Sequence, residues 1–185
     1  MTLSPLSIAV LGLLRERPMH PYEMHQLLTE RRRDLVVKVR TGSLYHTIDR
    51  LERDGLLTPA ATEREGNRPE RTTYRLTTDG DRAIESWVRD QLATVAAEFP
   101  AFPFALAEAH NLSAAEVAAA LTQRADALSS RIEQVEGALN GLPDTPEVYR
   151  LGTDRLLATL RSERDWTREL VAAIERKDFP WQPHA

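Results

Sequence analysis

Between Leu6 and Leu14 almost every position is apolar (Leu6, Ile8, Ala9, Val10, Leu11, Leu13, Leu14), which predicts a central helix buried on most sides. Ser4 stands where an N-cap belongs, and Pro5 suits the first helical position. After the connection Arg17–His20, a second helix is predicted from Pro21, with Tyr22, Met24, Leu27 and Leu28 as its apolar residues and Arg31, Arg32 and Arg33 near its end. The segment 34–40 carries Leu35, Val36, Val37 and Val39 and is β-prone. In the next stretch Leu44, Ile48 and Leu51 recur at i, i+4 and i+7, one apolar stripe of a third helix over 42–54. Ser43, His46, Thr47, Arg50 and Asp54 are assigned to its opposite side, Tyr45 to its edge, and Gly55 to its stop. Leu56, Leu57 and Thr58 begin an extended run toward Arg64, and residues 65–70 form a Gly/Asn/Pro turn cluster. Residues 71–77 then alternate, with Thr72, Tyr74 and Leu76 on one side and Thr73, Arg75 and Thr77 on the other. Three helices followed by a hairpin with Arg68 at its tip make a winged helix-turn-helix.

Beyond Thr78 the pattern is helical throughout. Ala83, Ile84, Trp87, Val88 and Leu92 mark a helix expected to reach Ala97, and the segment Phe99–Phe104, with its two prolines, interrupts it. Ser113 and Glu116 have capping-box spacing. The following helix carries Val117, Leu121, Leu128, Ile132, Val135 and Leu139, a heptad-like seam for helix–helix packing. Residues 140–146 break the chain, and a last helix from Glu147 to Lys177 carries Leu151, Leu156, Leu160, Trp166, Leu170 and Ile174. The expected fold is mainly α with a small β-hairpin: a winged helix-turn-helix domain over 1–80 and an all-helical domain over 81–185. The helical part suits dimerisation, since helix-turn-helix proteins commonly read two half-sites with two-fold symmetry; packing within one chain is the alternative.

Charge changes this picture in one respect. The whole chain has a formal net charge of −4, which alone argues against nucleic acid. Its distribution is uneven: residues 1–80 hold 13 Lys+Arg against 11 Asp+Glu, residues 81–185 hold 11 against 17. Arg31, Arg32, Arg33, Lys38 and Arg40 precede the third helix, and Arg64, Arg68, Arg71 and Arg75 follow it, so positive charge flanks that helix on both sides. The third helix thus reads either as an ordinary amphipathic surface helix or as one that lies in a major groove.

Other chemistry finds little support. With no cysteine there is no disulfide framework, thiolate metal site or cysteine nucleophile. His20 and His25 are five apart and fit neither zinc-binding helix motif, so no metal is expected. The nucleophile elbow, the phosphate-binding loop and the dinucleotide fingerprint are all missing, so neither an enzyme nor a cofactor is expected. No apolar run approaches the roughly 20 residues of a membrane span, and no basic leader precedes Leu6; the expected location is the cytoplasm.

Several ordered segments resemble the PadR family of bacterial transcriptional regulators. Leu11-Gly-Leu-Leu14 with His20-Pro-Tyr-Glu-Met24 resembles its first helix and the Gly-Tyr-Glu segment that follows, with Pro21 in place of the usual glycine. Gly42-Ser-Leu-Tyr45, Leu51-Glu52 and Gly55-Leu56 resemble its recognition-helix signature, and Tyr74-Arg-Leu-Thr77 leading to Gly80 the strand that leaves its wing. Glu163-Arg-Asp-Trp166 and Phe179-Pro-Trp181 are similar to the longer members with a large helical C-terminal domain. After Trp87 the match is one of helical pattern only. The resemblance implies a homodimeric winged-helix repressor bound to double-stranded operator DNA and released by a small molecule. On that reading Ser43, His46, Thr47 and Arg50 face the groove, Arg50 or His46 donates to guanine, and Tyr45 contacts phosphate or a base edge. Lys38, Arg40, Arg68 and Arg71 supply phosphate contacts. The alternative is Arg50 paired with Asp54 and Tyr45 packed on the core, in a winged-helix module that binds protein rather than DNA. Trp87, Phe99, Phe102, Phe104 and Trp166 are candidates to line an apolar pocket for an apolar or aromatic effector, with ordinary core packing as the alternative.

Overall fold

The computed structural model describes residues 3–63, 71–140, 146–178 and 180–181, with the side chains of 61–63 and 71 left aside. Its helices are α1 (Pro5–Glu16), α2 (Pro21–Glu30), α3 (Thr41–Arg53), α4 (Thr78–Ala93), α5 (Ala101–Ala107), α6 (Ala114–Asn140) and α7 (Leu151–Arg176). The strands β1 (Leu57–Glu63) and β2 (Arg71–Leu76) pair antiparallel, with a register shift between Pro59 and Ala61. The fold is mainly α with a small hairpin, as the apolar pattern predicts. It divides into two compact units, Met1–Ala96 and Ala97–Ala185. The boundary expected at 80/81 therefore falls inside α4, whose Ile84 and Ala83 pack with the core of the first unit.

In the first unit α1 is the hub. Leu6, Val10, Leu11, Leu13 and Leu14 are all buried, on too many sides of the helix for a single contact face. They meet Met24 and Leu28 of α2, Leu44, Ile48 and Leu51 of α3, and Leu57 at the start of the wing. Ser4 caps α1 by accepting the Ser7 N–H, and Thr77 caps α4 by accepting the Gly80 N–H at 3.1 Å. Gly80 has no room for a side chain: a Cβ there would stand 2.1 Å from the Leu56 carbonyl oxygen. Gly55, with φ of 72°, takes the left-handed conformation that ends α3.

Two connections differ from the expected ones. The β-prone segment 34–40 forms no strand; a single 3-10 turn over Arg33–Leu35 follows Arg32, and Val37 and Val39 tuck against the core. Their apolar character serves burial of a connection, not sheet pairing. Conversely, the connection before α2 contributes to the wing, since Met19 and Tyr74 exchange two backbone hydrogen bonds of 3.1 Å each. β2 is therefore flanked by β1 on one edge and by Met19 on the other.

The second unit is built on α6 paired with α7. The α6 seam is seated as its spacing predicts: Val117, Leu121, Ile132 and Val135 are buried and Leu128 and Leu139 half-buried. The α7 seam runs differently, through Thr153, Leu157, Thr167 and Ile174, with Leu151 and Trp166 exposed. The Phe99–Phe104 segment, expected as an interruption, contains the short helix α5 with Pro103 in its first turn, where a missing N–H is tolerated. Ser113 and Glu116 form the predicted capping box, with Ser113 N–H donating to Glu116 at 2.9 Å and Glu116 N–H to Ser113 Oγ at 3.3 Å. Trp181 closes the unit by donating its indole N–H to the Leu112 carbonyl at 2.9 Å.

Candidate nucleic-acid interface

Helix α3 owes its position to Leu44, Ile48 and Leu51, each no more than 1% exposed. With 100° per residue, this buried stripe turns Gly42, Tyr45, His46, Asp49 and Arg53 outward and leaves Ser43 and Arg50 along one flank. Ser43, Tyr45 and His46 are exposed, as expected for a reading face. Thr47 is not. It is buried at 8% and donates its hydroxyl to the Ser43 carbonyl at 2.7 Å. Its polarity suggested the outer face, but its angle decides: Thr47 lies only about 40° from Leu51 around the helix. A threonine tolerates that place because its hydroxyl can be satisfied one turn back.

Arg50 is exposed and has a partner outside its own helix. Its guanidinium donates to Ser7 Oγ of α1 at 3.0 Å, rather than pairing with Asp54. The outward positions Asp49 and Arg53 were passed over by the sequence reading, although the same helical angle places them there; Arg53 Nε reaches the Asp49 carbonyl at 3.3 Å.

The helix has an electrostatic direction. Its N-terminal residue Thr41 follows Arg40, which has no side-chain capping bond, and among the described residues nothing accepts from the N–H groups of Thr41, Gly42 and Ser43. Three backbone donors and the positive end of the helix dipole thus face outward beside exposed Lys38 and Arg40. Neither cation forms an ion pair among the described residues, whereas Arg15, Arg17 and Arg31 are each held by carboxylates. Apart from its chain neighbours and the backbone of its own helix, no described atom comes within 4 Å of where a Cβ on Gly42 would stand, so nothing covers this position. The other end of α3 mixes Asp49, Glu52 and Asp54 with Arg50 and Arg53. Burial, followed by the charges of Glu52 and Asp49, pushes the Tyr74 phenol upward at the base of the wing. An anion is therefore drawn to the α3 N-terminus.

The wing is partly placed. Arg71 opens β2, its backbone in register with Glu63, while Arg68 and Arg64 lie outside the described residues, as does the expected turn 65–70.

The five aromatic candidates for an effector pocket divide between the units. Trp87, in the first, donates its indole N–H to the Leu3 carbonyl at 3.1 Å. In the second, Phe102 and Trp166 meet edge to face at 6.4 Å. Arg124 lies over the Phe102 ring at 3.6 Å and donates through Nε to Glu163 at 2.9 Å. Phe99 and Phe104 are largely exposed. The sequence reading missed Arg124, whose link to Phe102 bridges distant parts of the chain and leaves no local pattern. Among the described residues no helix is long and apolar enough to cross a membrane.

Comparison with known proteins bears on all of this. Residues 10–86 match the family model of the Transcriptional regulator PadR-like family. No curated protein sequence matches. Among solved structures the chain is similar to Bacillus subtilis PadR in complex with operator DNA, with a TM-score of 0.75, 20% identity and coverage of 92% of this chain and 99% of that one. It is similar to the same protein in complex with p-coumaric acid, with a TM-score of 0.74, 18% identity and coverage of 92% and 98%. The Vibrio cholerae virulence activator AphA aligns with a TM-score of 0.73, 17% identity and coverage of 92% and 98%. At these identities the three share the fold of this chain.

Proposed function

We propose that this chain, whose residues 10–86 match the family model of the Transcriptional regulator PadR-like family, is a regulator of that family that binds operator DNA through the N-terminal half of α3, as a homodimer that represses transcription. One observation carries the reading: α3 is held by a fully buried stripe, while its N-terminus, without a side-chain cap, lies beside Lys38 and Arg40, which form no ion pair among the described residues. That end offers backbone N–H groups, Lys38 and Arg40 to phosphates, and Ser43, Tyr45 and His46 to phosphate or base edges. Thr47 leaves the reading set because it is buried. Arg68 and Arg71 remain candidates for phosphate contact from the wing. The second unit, built on two long helices, suits self-association, since its exposed Val148, Tyr149, Leu151 and Trp166 give it apolar surface to cover. A repressor role follows the family resemblance, and the activator AphA shows that the fold is compatible with the opposite sign.

Regulation by a small aromatic molecule belongs to the same reading. The Phe102–Trp166 pair offers aromatic edges to a molecule like the p-coumaric acid held by the Bacillus subtilis protein, and an acid group there would compete with Glu163 for Arg124.

The test uses the full chain and labelled DNA from upstream of its own coding sequence, followed by fluorescence anisotropy across a range of salt concentrations. Tight binding whose affinity falls steeply with salt, and which unrelated DNA does not compete away, is expected. Equal affinity for all sequences, or none for any, overturns the assignment and returns α3 to the protein-binding alternative.

A further inference from the structure

The start of α1 is tied to other helices by a short chain of polar groups. Ser4 accepts the Ser7 N–H at 3.1 Å, and the two hydroxyl oxygens lie 2.9 Å apart. Ser7 is fully buried, and its oxygen takes the Arg50 Nη2–H at 3.0 Å. A guanidinium only donates, so the direction of that bond is fixed. The Ser7 and Ser4 hydroxyls share a hydrogen bond that either one can donate, and among the described residues no buried side-chain polar atom is left without a partner. The relay thus runs from Arg50 through Ser7 to the residue that caps α1.

The apolar stripe of α3 resists separation of the helix from the core, but hydrophobic contact has no direction and tolerates a small roll about the helix axis. A charge-assisted hydrogen bond on one flank does not. Arg50 sits two turns beyond Ser43 on the same flank, so any roll that moves one moves the other. We propose that Arg50 is a positioning residue: it sets the roll of α3 through Ser7, and with it the aim of Ser43, Tyr45 and His46, without itself discriminating bases. This inference rests on the DNA-binding reading above.

The experiment compares wild type, Ser7→Ala, Arg50→Gln, Arg50→Lys and the Ser7→Ala/Arg50→Gln double variant, all full length. Each undergoes selection from a randomised DNA pool, then anisotropy titration on the selected sequence at several salt concentrations. Ser7→Ala and Arg50→Gln are each expected to weaken binding about tenfold, with the double variant no worse than either single one. The selected sequence is expected to change in the same way in both single variants, because both misaim the same side chains, and the salt slope is expected to stay as in wild type. Arg50→Lys keeps the charge but not the reach to Ser7, and is expected to behave like Arg50→Gln; this comparison stands even if Ser7→Ala fails to fold. Four results overturn the proposal: relaxed preference at one base pair in Arg50→Gln that Ser7→Ala does not share, a salt slope reduced by about one, full rescue by Arg50→Lys, or wild-type affinity in a folded Ser7→Ala. A wild-type protein that selects no sequence overturns the DNA-binding reading itself and takes this role with it.

Discussion

The two units are both largely helical, yet they solve the problem of burial differently. The first surrounds one helix, α1, with three others and a hairpin, so that a continuous cluster from Leu6 to Ile84 is closed on all sides. The second lays two long helices side by side and closes a small cluster at one end, around Val117, Leu121 and Ile174, with Leu106, Leu170 and Trp181 packed against it. Two helices in one layer leave much of each outside, and Val148, Leu151 and Trp166 stand exposed there. Both units expose large apolar side chains, Leu92 and Val95 at the end of the first and Val148 and Leu151 in the second, but only the first encloses a helix in its core. A core closed around one helix and a layer of two helices have different ratios of core to surface.

The largest test of this contrast is Leu51→Ala. Leu51 is fully buried beneath α3, and its truncation is expected to destabilise the first unit by about 3 kcal/mol. Hydrogen exchange should show faster opening of α1 and α3 amides with α6 and α7 protection unchanged; an equal loss in both units would show that the two share one cooperative transition. Gly80→Ala comes next. Its Cβ would collide with the Leu56 carbonyl, and a cost of about 2 kcal/mol in denaturant unfolding is expected. A neutral outcome would mean that the α4 start is free to shift.

On the second unit, Tyr149→Asp with Leu151→Asp alters exposed positions and is expected to change the stability of the folded chain by no more than about 0.5 kcal/mol. In analytical ultracentrifugation the same pair should move the particle mass toward the 20.9 kDa of one chain. Unchanged assembly would remove this surface from the interface. The smallest effect concerns acid. The hydroxyl and N–H of Ser113 hold the Glu116 carboxyl below its ordinary value of 4.5. A carboxylate with a lowered folded value contributes stability that is complete above 4.5 and is lost as pH falls through the lowered value. Protection of the first turn of α6 should decline over that range in wild type, and Glu116→Gln should remove the part of the decline due to this group. Identical profiles would show that the capping box contributes no acid sensitivity.

Much of this architecture was legible in the sequence because periodicity reports which face of a helix is buried. The α1 run, the Leu44–Ile48–Leu51 stripe, the α6 seam and both ends of α3 follow from spacing and from Gly55 alone. What escaped has a common cause. Thr47 was read by polarity where angle governs; on α7, Leu156 was chosen where Leu157 is the buried neighbour, since adjacent leucines leave the phase ambiguous. The links Arg50–Ser7, Arg124–Phe102 and Met19–Tyr74 each join residues far apart in the chain, and no local pattern encodes them. The candidate interface was accordingly legible as a helix and a charge environment, but its individual side chains sort into readers and anchors only once the partners of Arg50 and Thr47 are seen.

The pairing of Met19 with Tyr74 also bears on how the domain comes to be folded. The hairpin itself joins neighbours and can zip within microseconds. Its second edge cannot close until the entire span holding α2 and α3 has been drawn in, with the entropy of that large loop already lost. The bridge therefore belongs to a late step, and a wing already zipped on one edge waits for the helices to offer it the other.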